Sequence, residues 1–108
     1  MNWEQLTGLE QLEQLKEVSF QASVLFFKHS TRCSISVMVL SRFEREYNSE
    51  LARPFLLDLL NHRQVSNEIA NIFEVEHQSP QVLLIKDGVC IYHASHNAIH
   101  AQAINEFC

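Results

Sequence analysis

The sequence predicts an α/β chain, a three-layer α/β/α sandwich around a mixed, mostly four-stranded sheet. Three observations lead there. The run Val24-Leu25-Phe26-Phe27 has no polar break and suits a strand covered on both faces. Amphipathic stretches of helical period lie on either side of it. Farther on, two β-rich runs are joined by Asp87-Gly88, a hairpin signal with a known turn geometry.

Residues 4–18 carry Leu6, Leu9, Leu12, Leu15 and Val18 at every third position, with Glu and Gln between them. That spacing predicts a helix with one narrow apolar stripe. Its lack of basic residues and large aromatics argues for packing rather than for a membrane or partner helix. Val24 to Lys28 is the first expected strand. From Ser34 to Tyr47 the period is helical, with Ser36, Leu40, Phe43 and Tyr47 on one stripe and Ile35 and Val39 beside it. Arg42, Glu44, Arg45 and Glu46 are expected to face water, and Asn48-Ser49 to end the helix. Phe55 to Leu60 follows Pro54 and is short, so it reads as a strand. Ser66 is a candidate cap for a helix over Asn67 to Phe73. After the polar loop His77-Gln78-Ser79-Pro80 come the hairpin runs 82–86 and 89–93. A helix over Asn97 to Phe107, with Ser95 as its cap, ends the chain. This order, a β-α-β unit followed by a helix, an antiparallel hairpin and a last helix, is that of a thioredoxin-like domain, here spanning residues 1–108.

Composition bounds the function. The chain has 108 residues, 46% of them hydrophobic, enough for one core. A net charge of −5 without a basic stripe argues against nucleic acid as a partner. No apolar run approaches the roughly 20 residues that span a bilayer, and no signal peptide is expected, so the sequence reads as cytoplasmic. Three cysteines, Cys33, Cys90 and Cys108, have no short spacing between them, which suits neither a disulfide framework nor a thiol zinc site. His93, His96 and His100 lack a nearby carboxylate or thiol to complete a metal site, so no metal and no bound cofactor are expected.

Chemistry centres on Cys33, in the stretch from His29 to Ser36 between the first strand and a helix. Open α/β sheets bind ligands beyond the carboxyl ends of their strands. Helix N-termini carry unpaired N–H groups and partial positive charge, a setting that favours the nucleophilic thiolate over the thiol. Arg32 is adjacent and His29 is four residues back, so a cation or proton acceptor is close in sequence. Ser36 stands where a dithiol oxidoreductase would carry its second cysteine, which forbids an internal disulfide across the motif and forces chemistry through a mixed disulfide. Its hydroxyl either donates to the Cys33 sulfur or satisfies backbone. In a thioredoxin-like sheet Pro80 is expected to be cis and to face Cys33, offering backbone of Ser79 to a substrate. Cys90 is expected in the core and Cys108 at a mobile end.

The stretch Lys28-His29-Ser30-Thr31-Arg32-Cys33-Ser34-Ile35-Ser36 resembles the YtxJ-like family, the monothiol bacilliredoxins. The likeness continues through residues 41–44, 57–59, 63–70, 79–88 and 93–96, in the same order. The resemblance implies reduction of mixed disulfides between proteins and bacillithiol, a low-molecular-weight thiol of some bacteria, which would be a co-substrate. It also implies Cys33 as the active cysteine and Pro80 as the proline opposite, with His29, Thr31, Arg32, Ser34, Ser36 and Ser79 as the surrounding site. The family motif is often Thr-Cys-Pro-Ile-Ser; here Arg32 and Ser34 replace the Thr and Pro. The implied partners are S-thiolated proteins and the small thiol. Two other readings stand beside this one: a thioredoxin-like module that binds partners without catalysis, and a thiol redox sensor.

Overall fold

The structure, a computed structural model, describes residues 1–48, 50 and 52–107; Ser49, expected to help end a helix, and Cys108 lie outside them. The elements are β1 (Glu4–Gln5), α1 (Leu9–Val18), β2 (Val24–His29), α2 (Ser34–Glu46), β3 (Arg53–Asp58), α3 (Arg63–Phe73), β4 (Gln81–Lys86), β5 (Val89–Ser95), a 3-10 turn (His96–Ala98) and α4 (Ala101–Phe107). They form a five-stranded sheet in the order β1-β3-β2-β4-β5, parallel from β1 to β2 and antiparallel through β4 and β5. None of the described helices is long and apolar enough to cross a membrane.

β2 lies at the centre, and all six of its residues are buried. Side chains alternate across a strand. Val24 and Phe26 therefore join one core cluster, with Leu12, Leu15, Phe55, Val65, Ile69 and Phe73 under α1 and α3. Leu25 and Phe27 join the other, with Val39, Phe43, Val82, Leu84 and Ile104 under α2 and α4. Lys28 and His29 continue this alternation to the carboxyl end of the strand.

The fold class matches the expectation, and several local features differ, among them the strand expected over Phe55 to Leu60, which spans Arg53–Asp58 with Pro54 inside it. The expected first helix is split. Glu4–Gln5 pair in parallel with Phe55 and Leu56 as an edge strand, α1 begins only at Leu9, and Leu9 itself is exposed. A two-residue strand is set by its partner, and the leucine period conceals it. Ser66 is no cap: α3 starts three residues earlier at Arg63, and Ser66 is fully buried inside it. The last helix starts at Ala101 rather than Asn97, because His96 adopts φ +54 and the chain makes a short 3-10 turn first. Arg42 and Glu44 are half-buried rather than solvated; Arg42 donates to the Ile99 carbonyl and Glu44 accepts from the Trp3 indole at 2.8 Å.

The hairpin turn takes φ +54 at Asp87 and +77 at Gly88, as a two-residue I′ connection requires. Its amides are anchored on Ser19, Asp87 N–H donating to the carbonyl at 2.8 Å and Gly88 N–H to Oγ at 2.9 Å. A Cβ at position 88 would lie 2.7 Å from the Phe20 ring. Between Tyr92 and Cys90 the β4 register skips Ile91, a bulge in the edge strand β5.

Candidate functional site

Three connections meet at the carboxyl edge of β2. Residues 30–33 leave β2, residues 59–62 leave β3, and residues 77–80 enter β4; His29 pairs with Asp58, and Lys28 with Gln81. Each connection is pinned locally. Cys33 N–H donates to the Ser30 carbonyl at 3.2 Å and closes a turn. Asp58 accepts from the Leu60 amide at 3.2 Å and from Asn61 Nδ2 at 2.7 Å. The buried Gln81 side chain donates to the Glu76 carbonyl at 3.0 Å, and the Pro80 carbonyl accepts from His96 N–H at 3.0 Å. The Ser79–Pro80 peptide bond is cis.

Cys33 is the residue at which strand-like backbone becomes helix. It is extended, with φ −104 and ψ 117, and its carbonyl accepts the first intrahelical bond of α2 from Val37 N–H at 3.0 Å. Its free thiol is half-buried, and no side chain caps the helix. Cys33 thus stands at the end of α2 where the first amide N–H groups lack intrahelical partners, a setting that complements negative charge. Thr31, Arg32 and Ser34 beside it are exposed.

His29 and Ser36 lie behind this turn. Ser36 is completely buried, and its Oγ lies 2.7 Å from His29 Nδ1 while accepting the Ser30 amide at 3.1 Å. Of the two roles open to this hydroxyl, the backbone role is the one found: its bonds go to Ser30 and His29 rather than to Cys33. Burial lowers the His29 pKa, and the Asp58 and Glu44 carboxylates act against that shift. The Ser36 hydroxyl and His29 Nδ1 share one hydrogen bond, whose direction follows the ring tautomer. Ser79 is half-buried, its Oγ buried and without a hydrogen-bond partner, and Pro80 is buried.

One cluster at this edge has no counterpart in the expected site. Lys28 is fully buried, and its ammonium donates to the Ser66 carbonyl at 3.2 Å. Lys28 Nζ also lies 3.2 Å from His77 Nδ1, which is 3.2 Å from Ser66 Oγ as well. Burial pulls the Lys28 pKa down to about 8. The His77 pKa is lowered too, by burial first and then by the positive charges of Lys28 and Arg63. The available signal was the position of Lys28: a lysine two residues after Phe26, in a strand whose run implied burial on both faces, faces a core and needs an acceptor there.

Cys90 is a half-buried free thiol in β5 whose Sγ lies 3.3 Å from the Tyr92 carbonyl; burial raises its pKa, backbone hydrogen bonds at Tyr92 and Leu84 opposing. Both features make it a poor nucleophile. Among the described residues no three of His, Cys, Asp or Glu are grouped to hold a metal ion.

Comparison with known proteins agrees with this geometry. A solved structure described as a candidate oxidoreductase with a thioredoxin fold superposes with a TM-score of 0.83 at 25% identity, over 95% of this chain and 90% of that one. The thioredoxin Mala s 13 of Malassezia sympodialis gives 0.74 at 14% identity, over 98% and 87%. Mitochondrial thioredoxin 3 of Saccharomyces cerevisiae, in its oxidised form, gives 0.69 at 18% identity, over 97% and 92%. These likenesses establish the thioredoxin fold. The family model "Monothiol bacilliredoxin BrxC" matches residues 4–104. With that match spanning nearly the whole chain, the protein belongs to the monothiol bacilliredoxin family of thioredoxin-fold thiol oxidoreductases.

Proposed function

We propose that the protein removes a low-molecular-weight thiol, bacillithiol, from mixed disulfides on bacterial cytoplasmic proteins, with Cys33 as the nucleophile. The observation that carries this reading is the pairing of a half-buried thiol at the start of α2 with a buried serine at the position of a second thiol. Cys33 thiolate attacks the bacillithiol sulfur of the mixed disulfide. A Cys33–bacillithiol bond forms, the old disulfide breaks, and the client protein leaves as a thiolate that takes a proton from solvent. A second bacillithiol, as its thiolate, then attacks the bacillithiol sulfur on Cys33. That step releases bacillithiol disulfide and free Cys33, so the net exchange turns the client mixed disulfide and one free bacillithiol into the client thiol and bacillithiol disulfide.

The surrounding residues divide the work. The N-terminal amides of α2 and the adjacent Arg32 complement negative charge on sulfur. Thr31 and Ser34 are exposed where a client approaches. Ser79 and Pro80 form the opposite wall, where backbone rather than the buried Ser79 hydroxyl meets the client. His29 and Ser36 hold the turn from beneath. Bacillithiol and S-thiolated proteins are the partners, and the route needs no bound cofactor, nucleic acid or membrane.

Mass spectrometry after exposure to bacillithiol disulfide tests this. One bacillithiol adduct is expected on Cys33, with Cys33→Ala taking up none and losing turnover of a bacillithiolated client. Uptake and wild-type turnover by Cys33→Ala would overturn the assignment. An adduct that forms on Cys33 without any turnover would leave a sensor thiol, and no adduct at all a binding module.

A further inference from the structure

The Lys28 ammonium is a cation with no access to water, and its hydrogen-bonding partners here are a carbonyl and an imidazole rather than a carboxylate. Such a group is costly unless its hydrogen bonds are met. Its two acceptors lie on different elements, Ser66 inside α3 and His77 in the connection that leads to Pro80. The register brings these together: Lys28 pairs with Gln81, the residue after Pro80, and lies one residue from His29 at the end of β2. The ammonium is thus a three-way junction between the central strand, α3 and residues 77–80.

We propose that Lys28 is a positioning residue for the exchange reaction: its buried ammonium clamps His77, and with it the wall formed by Ser79 and Pro80, against the sheet edge that carries Cys33. The proposal rests on the redox reading of Cys33 and adds two residues to it.

The clamp dictates a protonation state. Lys28 can only donate, so His77 Nδ1 must accept, and the ring is neutral with its proton on Nε2. Protonating Nδ1 would set two cations 3.2 Å apart. The charged groups acting on His77 from the elements around it are Lys28 of β2 and Arg63 of α3, both positive; Glu74 and Glu76 on its own segment are exposed. Acid therefore opens the clamp, and it does so below the ordinary histidine range, because burial and the two cations lower the His77 pKa.

Turnover of a bacillithiolated client, followed from about pH 5 to pH 8, tests the idea in wild type, Lys28→Met, His77→Leu and His77→Gln. Wild-type kcat/KM is expected to fall on the acid side. Lys28→Met and His77→Leu are expected to lose about tenfold at neutral pH, from a slack wall. His77→Gln keeps an amide oxygen for the ammonium but cannot titrate, so it should recover most of that loss and keep only the acid limb that thiol protonation produces, without the added fall due to His77. Wild-type rates in folded Lys28→Met and His77→Leu, or an acid limb in His77→Gln that superimposes on that of wild type, would overturn the clamp. Amide hydrogen exchange of residues 76–79 and 81 gives a readout independent of redox chemistry: faster exchange in His77→Leu, and in Lys28→Met if it folds, supports the clamp, and unchanged protection rejects it. Failure of wild-type Cys33 to form an adduct would instead reject the redox reading and leave the exchange data to decide the clamp.

Discussion

Two adjacent residues of β2 do similar work in opposite electrostatic surroundings. His29 points to the α2 side, bonds the buried Ser36, and has the carboxylates of Asp58 and Glu44 as its charged neighbours. Lys28 points to the α3 side, bonds Ser66 and His77, and shares that corner with Arg63. One face of the same strand end carries a field that favours protonating its histidine, and the other a field that opposes it. Both histidines have lowered pKa values, for burial dominates in each, yet the secondary influences have opposite sign. The central strand, with both faces covered, thus anchors polar contacts on both sides of its carboxyl end, the His29–Ser36 pair toward α2 and the Lys28–His77 junction on the connection that leads to Pro80.

The largest expected effects come from the apolar floor under each face. Phe26→Ala and Phe27→Ala each remove a fully buried ring, from different core clusters, and should each cost about 3–5 kcal/mol in urea unfolding. A much smaller cost for one would mean that its face can collapse around the gap. Ser36→Ala should cost about 1–3 kcal/mol, because the Ser30 amide and the His29 ring lose a partner inside the core. Equal stability of Ser36→Ala and wild type would show that the pair contributes geometry alone.

On the other face, Lys28→Met should leave stability at pH 7 nearly unchanged or raise it, since an apolar side chain of similar length avoids the desolvation of the ammonium. The clearer contrast is in its pH dependence. Lys28 has a folded pKa of about 8, below its unfolded value of 10.5, so the unfolded chain binds more protons between them. Wild-type stability should gain a contribution as pH rises through that window, and thermal melts of Lys28→Met should lack it. His77 is also lowered, so its contribution is lost as pH falls below its unfolded value of 6.5. The smallest effect belongs to the rim of the sheet. Arg53 and Glu4, bonded at 3.0 Å between β3 and β1 but about half exposed, should be worth no more than about 1 kcal/mol in a double-mutant cycle.

What sequence alone revealed follows the range of the interactions. The burial of Val24 to Phe27, the Asp87-Gly88 turn and the strand–helix junction at Cys33 are local patterns, and each appears in the structure where expected. β1 escaped notice because two residues carry no period of their own; their strand state comes from Phe55 and Leu56 across the sheet. Ser66 has the composition of a cap, but its place inside α3 is fixed by Val65 and Ile69 packing below the sheet. The Lys28–His77 contact joins residues 49 apart, and local propensity carries no trace of such a pairing. The Cys33 turn was legible, and the polar junction on the connection that leads to Pro80 was not.

The skipped residue at Ile91 has a consequence beyond the hairpin that contains it. β5 ends the sheet, and its alternately exposed side chains include Val89 and Ile91, with no charged residue along the strand. A straight strand of that composition would present a ladder of unpaired amides on which a second molecule could grow a sheet. The extra residue bends and twists the edge midway. A neighbouring copy meets two short stretches that do not share one register. An irregularity of this kind in the pairing with β4 weakens the match that edge-to-edge pairing needs.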